Sequence, residues 1–364
     1  MNLRDFTRRL SPGSKKILIT ASGTTIIVSG LLCLLAGFTV VNFILNFDQL
    51  QSSADEYGTP AAELSAAAEA SGRETLSSHG SITAGAAEDA AWLAAVNRYR
   101  AMVGVSPVTA DAELSRSDAL HSQYLVVNYA PQLPHLRLGA DAHTEDPAKP
   151  DYSPEGANAA RASDIDWSWD PHNRPEASWA IDNWMAVPFH RMQIISPYLR
   201  RVGYGTACHG DICFAALNTG TDINPPLTMP SPWPKPLAFP PDASLMELNQ
   251  FSSEWPDPLT SCPGYTPPAG LPVTLELGHL IVPEVSDYSI RNLDGAPIDA
   301  CAIEANNYVN PDTAAQSAAR AVLREFGAII IVPRRPLPQG RYTVMVTAGE
   351  RYSWTFSVVA RNHR

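Results

Sequence analysis

The chain has 364 residues, 45% of them hydrophobic and 17% charged, with a formal net charge of −11. That length accommodates two domains with cores of their own plus additional segments. An acidic chain without an evident basic face excludes nucleic acid as the expected partner.

Residues 17–47 contain no charged side chain, and the run TIIVSGLLCLLAGFTVVNFIL is apolar enough to cross a bilayer core with about 20 helical residues. A transmembrane helix is expected here. Arg4, Arg8, Arg9, Lys15 and Lys16 precede it against the single acid Asp5, so the positive-inside rule makes 1–16 a cytoplasmic tail. The chain is therefore expected to be a single-pass cell-membrane protein with its bulk extracytoplasmic. A cleaved signal peptide is the competing reading, but its apolar region is usually shorter. Residues 48–86 are rich in Ala, Ser, Glu and Gly and read as a flexible stalk.

EDAAWLAAVNRYRAMVG places Trp92, Val96, Tyr99 and Val103 at helical spacing with Gly104 as a stop. DAELSRSDALHSQYLVVNY continues as a second helix with Asp111 as N-cap and His121 on its apolar face, where a packed core histidine is expected. Residues 130–174 show no clear period and read as a long irregular segment. Within it, DIDWSWD has the look of an aromatic loop, for which local packing outweighs sugar binding. PEASWAIDNWMA predicts a third helix ended by Pro188. RRVGYGTAC and ICFAALN then predict a hairpin whose turn is bracketed by Cys208 and Cys213.

Residues 223–260 are so proline-rich that they read as an extended connector, with the domain boundary inside it. Beyond it LPVTLELG, DYSIRNL, AIIIVP, RYTVMVTAG and YSWTFSVVA predict strands, and TAAQSAARAVLREFG a helical excursion. Residues 261–364 are thus expected to form a β-sandwich. Of the five cysteines, Cys33 falls in the membrane span and four lie outside, where disulfides persist. Three pairings are open. The local one, Cys208 with Cys213 and Cys262 with Cys301, closes the shortest loops and is preferred, for about 2 and about 4 kcal/mol in the chain-entropy picture.

The motifs of nucleophilic, zinc-peptidase, P-loop and dinucleotide chemistry are absent, and the HTE at His143–Glu145 lacks the cysteine pair of a zinc deaminase. What remains is a scatter of imidazoles and carboxylates: His135, His143, Glu145, Asp146, Glu155, His172, Asp182 and His190. Two neutral imidazoles with carboxylate partners could hold zinc. A histidine in the His190 position could equally cap a helix or pack in the core.

The succession AAVNRYRAMVGVSPVTADAELSRSDALHSQYL, HTEDP, AIDNWMAVPFHRMQIISPYLRRVGYG and CFAALNTG resembles the CAP superfamily (cysteine-rich secretory proteins, antigen 5, pathogenesis-related 1) in its bacterial SCP-like form. The resemblance covers residues 87–222. It implies an α+β fold, an α-β-α sandwich, with a cleft that holds two histidines and two acids and binds a divalent cation in some members. Carried over by position, His143 and His190 are the cleft histidines. The acid of the family's GEN element falls on Ala157, so Glu145 or Glu155 would have to substitute, and a cation such as zinc would be weakly held. GRYTVMVTAG and YSWTFSV in turn resemble Ig-like modules of bacterial surface proteins. The expected function is noncatalytic binding of a lipid or a surface partner in or near the cleft. Two alternatives stay open: a peptidase-like metal-assisted hydrolase with His143, His190 and a glutamate base, and a structural surface scaffold.

Overall fold

A computed structural model of the protein describes residues 86–132, 138–169, 179–220 and 235–361. The expected anchor, all but the last residue of the expected stalk, His135 and His172 lie outside the described residues. Among the described residues no helix is long and apolar enough to cross a membrane.

The first domain begins with α1 (Ala86–Val103), which buries Trp92, Val96, Tyr99 and Val103 and stops at Gly104, whose φ of 77° suits glycine. β1 (Thr109–Ala110) leads into α2 (Ala112–Tyr129), where Asp111 accepts hydrogen bonds from the backbone N–H of Glu113 and Leu114 as N-cap. α3 (Pro154–Ala160) and β2 (Ser163–Trp169) follow, so DIDWSWD is mostly strand where a loop was expected. The third expected helix is two: α4 (Trp179–Ala186) and α5 (Pro188–Ile194). Pro188 both ends the first and opens the second, because a proline in the first turn sacrifices no helical hydrogen bond. β3 (Arg201–His209) and β4 (Ile212–Asn218) form the expected hairpin, with Cys208 opposite Cys213 and disulfide-bonded to it.

These strands make one sheet in the order β1-β3-β4-β2, with β1 parallel to β3 and the other pairs antiparallel. Strand alternation divides its faces. Val202, Tyr204, Ala215 and Leu217 pack with α1 and α4, whereas Ile165, Phe214 and Ala216 pack with α2. The result is a helix–sheet–helix sandwich. Gly203 and Gly205 let α2 lie directly on β3: a Cβ on Gly205 would sit 2.0 Å from the backbone nitrogen of Ala119. Buried Asp118 of α2 accepts from Ser163 Oγ at 2.7 Å and from the Asn218 N–H at 3.0 Å, tying the helix to β2 and β4. Arg100 of α1 is likewise buried and donates to the carbonyls of Ser106, Ile194, Ser196 and Leu199.

The second domain starts earlier than the composition suggests. β5 (Leu237–Phe239), β6 (Ser244–Met246) and β7 (Gln250–Phe251) lie inside the stretch expected to be an extended connector. They are followed by β8 (Ala269–Gly270), β9 (Val273–Glu276), β10 (Asp287–Asn292), β11 (Pro297–Ile298), β12 (Ala300–Ile303), α6 (Thr313–Phe326), β13 (Ala328–Pro333), β14 (Gly340–Ala348) and β15 (Glu350–Val358). A four-stranded sheet, β12-β13-β9-β5, faces a five-stranded one, β11-β10-β14-β15-β6, while β7 and β8 pair separately. β5 and β6 are edge strands, the places where neighbouring prolines cost no ladder hydrogen bonds. Val273, Leu275, Ile329 and Ile331 meet Ile290, Val344, Val346, Trp354 and Phe356 between the sheets. The other face of β13, with Ile330 and Val332, packs under α6, which explains the uninterrupted apolar run.

The two domains share cores. Phe239, Met246 and Leu271 join the cluster under α1 and α4, and Val187, Phe189 and Met192 join the cluster under α6. Arg191 crosses the boundary, donating to the carbonyls of Met185 at 2.8 Å and Pro272 at 2.7 Å with its guanidinium over the Phe239 ring. Cys262 and Cys301 form the second disulfide, so the locally paired framework is the one present.

Candidate functional site

His190 lies in α5, on the side of the sheet where α1 and α4 pack. Period-two alternation in β2 sends Ile165 and Trp167 to the α2 side and Asp164 and Asp166 to the opposite side, toward His190. Asp166 accepts from the Asn183 amide at 2.8 Å. Asp164 is buried, and its Oδ2 has no hydrogen-bond partner among the described residues. His143 ends a 3-10 turn, Ala140–His143, and its Nδ1–H donates to the Ala160 carbonyl at 3.1 Å.

The group that completes this site comes from the second domain. Glu254 Oε2 lies 2.9 Å from His190 Nδ1 and accepts from the Phe189 N–H at 3.1 Å, with 1% of its side chain exposed. The next residue, Trp255, places its ring 6.3 Å from that of His143 and donates from Nε1 to Asp312, the N-cap of α6, at 3.3 Å. Gly139 leaves the room for it: a Cβ there would lie 3.3 Å from the indole.

Electrostatics separate the two histidines. For His190 burial disfavours the charge, but the hydrogen bond to Glu254 and the charges of Asp164, Glu254 and Asp166 outweigh it and push the imidazole up to about 9. For His143 burial and then the positive charge of His190 push it down to about 4, against hydrogen bonds to the backbone of Ala160 and Ser163. At neutral pH His190 is therefore an imidazolium and His143 a neutral ring. Burial also pushes the carboxyls of Asp164 up to about 7 and Asp166 up to about 6, although His190 pulls both down.

The expected acids go elsewhere. Glu145 is buried against His121: Oε1 lies 3.0 Å from His121 Nδ1, and Oε2 accepts from the Ser153 N–H at 3.0 Å. The other ring nitrogen of His121 donates to the Ala142 carbonyl at 2.8 Å, so His121 is a hydrogen-bonded core residue. Gly156 is needed beside this pair, since a Cβ would lie 2.4 Å from Glu145 Oε1. Glu155 is exposed in the first turn of α3. Asp146 is exposed, its N–H donating to Tyr124, and Asp182 accepts from Tyr99 at 2.7 Å, Arg98 at 2.9 Å and Arg361 at 3.1 Å.

The structure gives the residues expected to hold a cation the following partners. His190 faces Glu254 through Nδ1, His143 donates its Nδ1–H to the Ala160 carbonyl, Glu145 pairs with His121, and Glu155 is exposed on α3. Among the described residues no group of three or more His, Cys, Asp and Glu is placed to hold a metal ion. Chemically the arrangement sets the Glu254 side chain against an imidazolium and a backbone N–H, and a neutral ring beside an indole.

Asp164, Asp166 and Glu254 were not among the candidates. The first two had a signal, the alternation of Asp164 and Asp166 with Ile165 and Trp167. Glu254 had none beyond being an acid next to a tryptophan, 64 positions from its partner.

Residues 93–218 match the family profile described as CAP, cysteine-rich secretory protein family. That match supports a CAP-superfamily domain for the first domain, which is the part of the chain that holds His143, His190, Asp164 and Asp166. No curated protein matches the chain. Among solved structures, CopC from Methylosinus trichosporium OB3b is similar at 15% identity and a TM-score of 0.20, covering 35% of this chain and 93% of that one. The copper resistance protein PcoC from Escherichia coli is similar at 14% identity and a TM-score of 0.17, covering 34% and 95%. At such scores neither likeness bears on this chain further.

Proposed function

We propose that the protein is a membrane-anchored, extracytoplasmic binding protein of bacterial SCP-like type, noncatalytic, whose CAP cleft recognises a surface partner and whose β-sandwich is an Ig-like module that displays it. The observation that carries this reading is the Glu254–His190 contact. The one cleft imidazole that is charged at neutral pH already holds a carboxylate, and the nearby expected base, Glu145, is spent on His121. A charged ring with Asp164, Asp166 and Glu254 around it favours a polar partner over an acyl chain, which offers none of them a hydrogen bond. The anchoring half of the proposal is supported by the uncharged run at 17–47 after a basic N-terminus.

The test has two arms. The full chain, in detergent, is incubated with peptide and ester substrates with and without zinc, and intact cells are treated with external protease. Turnover at the buffer rate and loss of residues 86–361 to the protease are expected. Turnover that disappears in His190→Ala would make the protein a hydrolase, and full protection in intact cells would remove the extracytoplasmic assignment.

A further inference from the structure

The segment 252–258 runs from β7 of the second domain to His190 and His143 of the first and back. It is pinned on one side by buried Phe251 and on the other by buried Pro258 and Leu259, while Ser252 and Ser253 between them are exposed. Two consecutive side chains of it pack against the two histidines of the first domain. Glu254 meets both donors that the cleft offers a carboxylate, the His190 ring at 2.9 Å and the Phe189 N–H at 3.1 Å. Trp255 meets the His143 ring in the space that Gly139 leaves open, and its indole N–H finds Asp312.

We propose that the cleft is a recognition site for a peptide in which an acidic residue is followed by an aromatic one, and that Glu254–Trp255 occupies it in cis, so that a partner protein binds by displacing residues 252–258. This rests on the binding-module reading and gives the partner a chemistry. Asp164 and Asp166 face the same imidazole, but the hydrogen bonds of its Nδ1 and of the Phe189 N–H go to Glu254, and a neutral occupant would leave the imidazolium's Nδ1–H to a weaker acceptor. The aromatic half is held by shape and ring contact and by a single N–H acceptor, an arrangement suited to tryptophan. An internal occupant at high effective concentration keeps weak ligands out and admits one that makes further contacts of its own.

The experiment uses a fluorescein-labelled peptide of sequence Ser-Ser-Glu-Trp-Pro-Asp-Pro and the detergent-solubilised full chain, read by anisotropy. The variants are wild type, Glu254→Ala with Trp255→Ala, the same pair with His190→Ala, and Glu254→Gln. Saturable binding to the double variant at least tenfold tighter than to wild type is expected, with loss of at least tenfold when His190 is also removed. Equal affinity for wild type and double variant, or no binding to a double variant whose circular dichroism and melting match wild type, overturns the proposal. If the double variant does not fold, Glu254→Gln decides: tighter peptide binding than wild type supports the proposal and unchanged binding overturns it. Cleavage of bound peptide, seen by mass spectrometry, would support recognition while overturning the noncatalytic function.

Discussion

Raising the pH should unload the His190 site by a definite amount. Burial opposes the charge on this imidazole, but Glu254, Asp164 and Asp166 lift it to about 9 from an ordinary 6.5. A folded-state value above the unfolded one means that the folded chain keeps the extra proton between those two pH values. The stabilisation is fully present below pH 6.5 and is lost as the pH rises through about 9. The gap corresponds to about 3 kcal/mol. Asp164, which burial pushes up to about 7, titrates in the same window and shares the proton, so about 3 is an upper bound. Wild type and His190→Gln are unfolded with urea, as full chains, at pH 6 and pH 9.5. Wild type should lose about 2 to 3 kcal/mol more than the variant between the two pH values. Equal losses would refute a proton held on His190 by the surrounding carboxylates.

Gly205→Ala should lower the melting temperature sharply, because the new Cβ would lie 2.0 Å from Ala119 N and α2 would have to lift off the sheet; the expected cost is about 3 kcal/mol. Arg100→Met should cost a similar amount, about 3 kcal/mol or more, since the carbonyls of Ser106, Ile194, Ser196 and Leu199 lose their donor in a buried place; denaturant unfolding checks it. Cys262→Ser with Cys301→Ser opens a loop of sequence separation 39 and should cost about 4 kcal/mol in the chain-entropy picture. Insensitivity of wild-type melting to reductant would contradict that value.

Much of the scaffold was legible because local rules decide it. Trp92, Val96, Tyr99 and Val103 repeat on one helical face, Asp111 caps the following helix, and Gly104, with φ of 77°, ends the first. The cysteine spacing led to both disulfides. The strands of the second domain alternate or run apolar, and they form where that pattern lies. Two readings failed for identifiable reasons. Asp164 and Asp166 made β2 look like a loop, although only one face of that strand is apolar; the other serves the cleft. Proline density hid β5 and β6, whose edge positions tolerate it. Within the site, His143 and His190 were found through the resemblance and lie together, whereas their expected acids do not reach them. Glu145 is drawn to His121 by two hydrogen bonds that no spacing rule anticipates. Glu254 reaches His190 only because the second domain shares a core with α5, through Val187, Phe189 and Met192. That is a tertiary fact without a local trace.

The most direct test of the account is amide hydrogen exchange over residues 183–194 in the full chain, wild type beside Glu254→Ala with Trp255→Ala. The Phe189 N–H donates to Glu254. Exchange should therefore quicken there in the variant while α2 and β13 stay as protected as in wild type. Unchanged exchange over 183–194 would mean that residues 252–258 do not occupy the cleft.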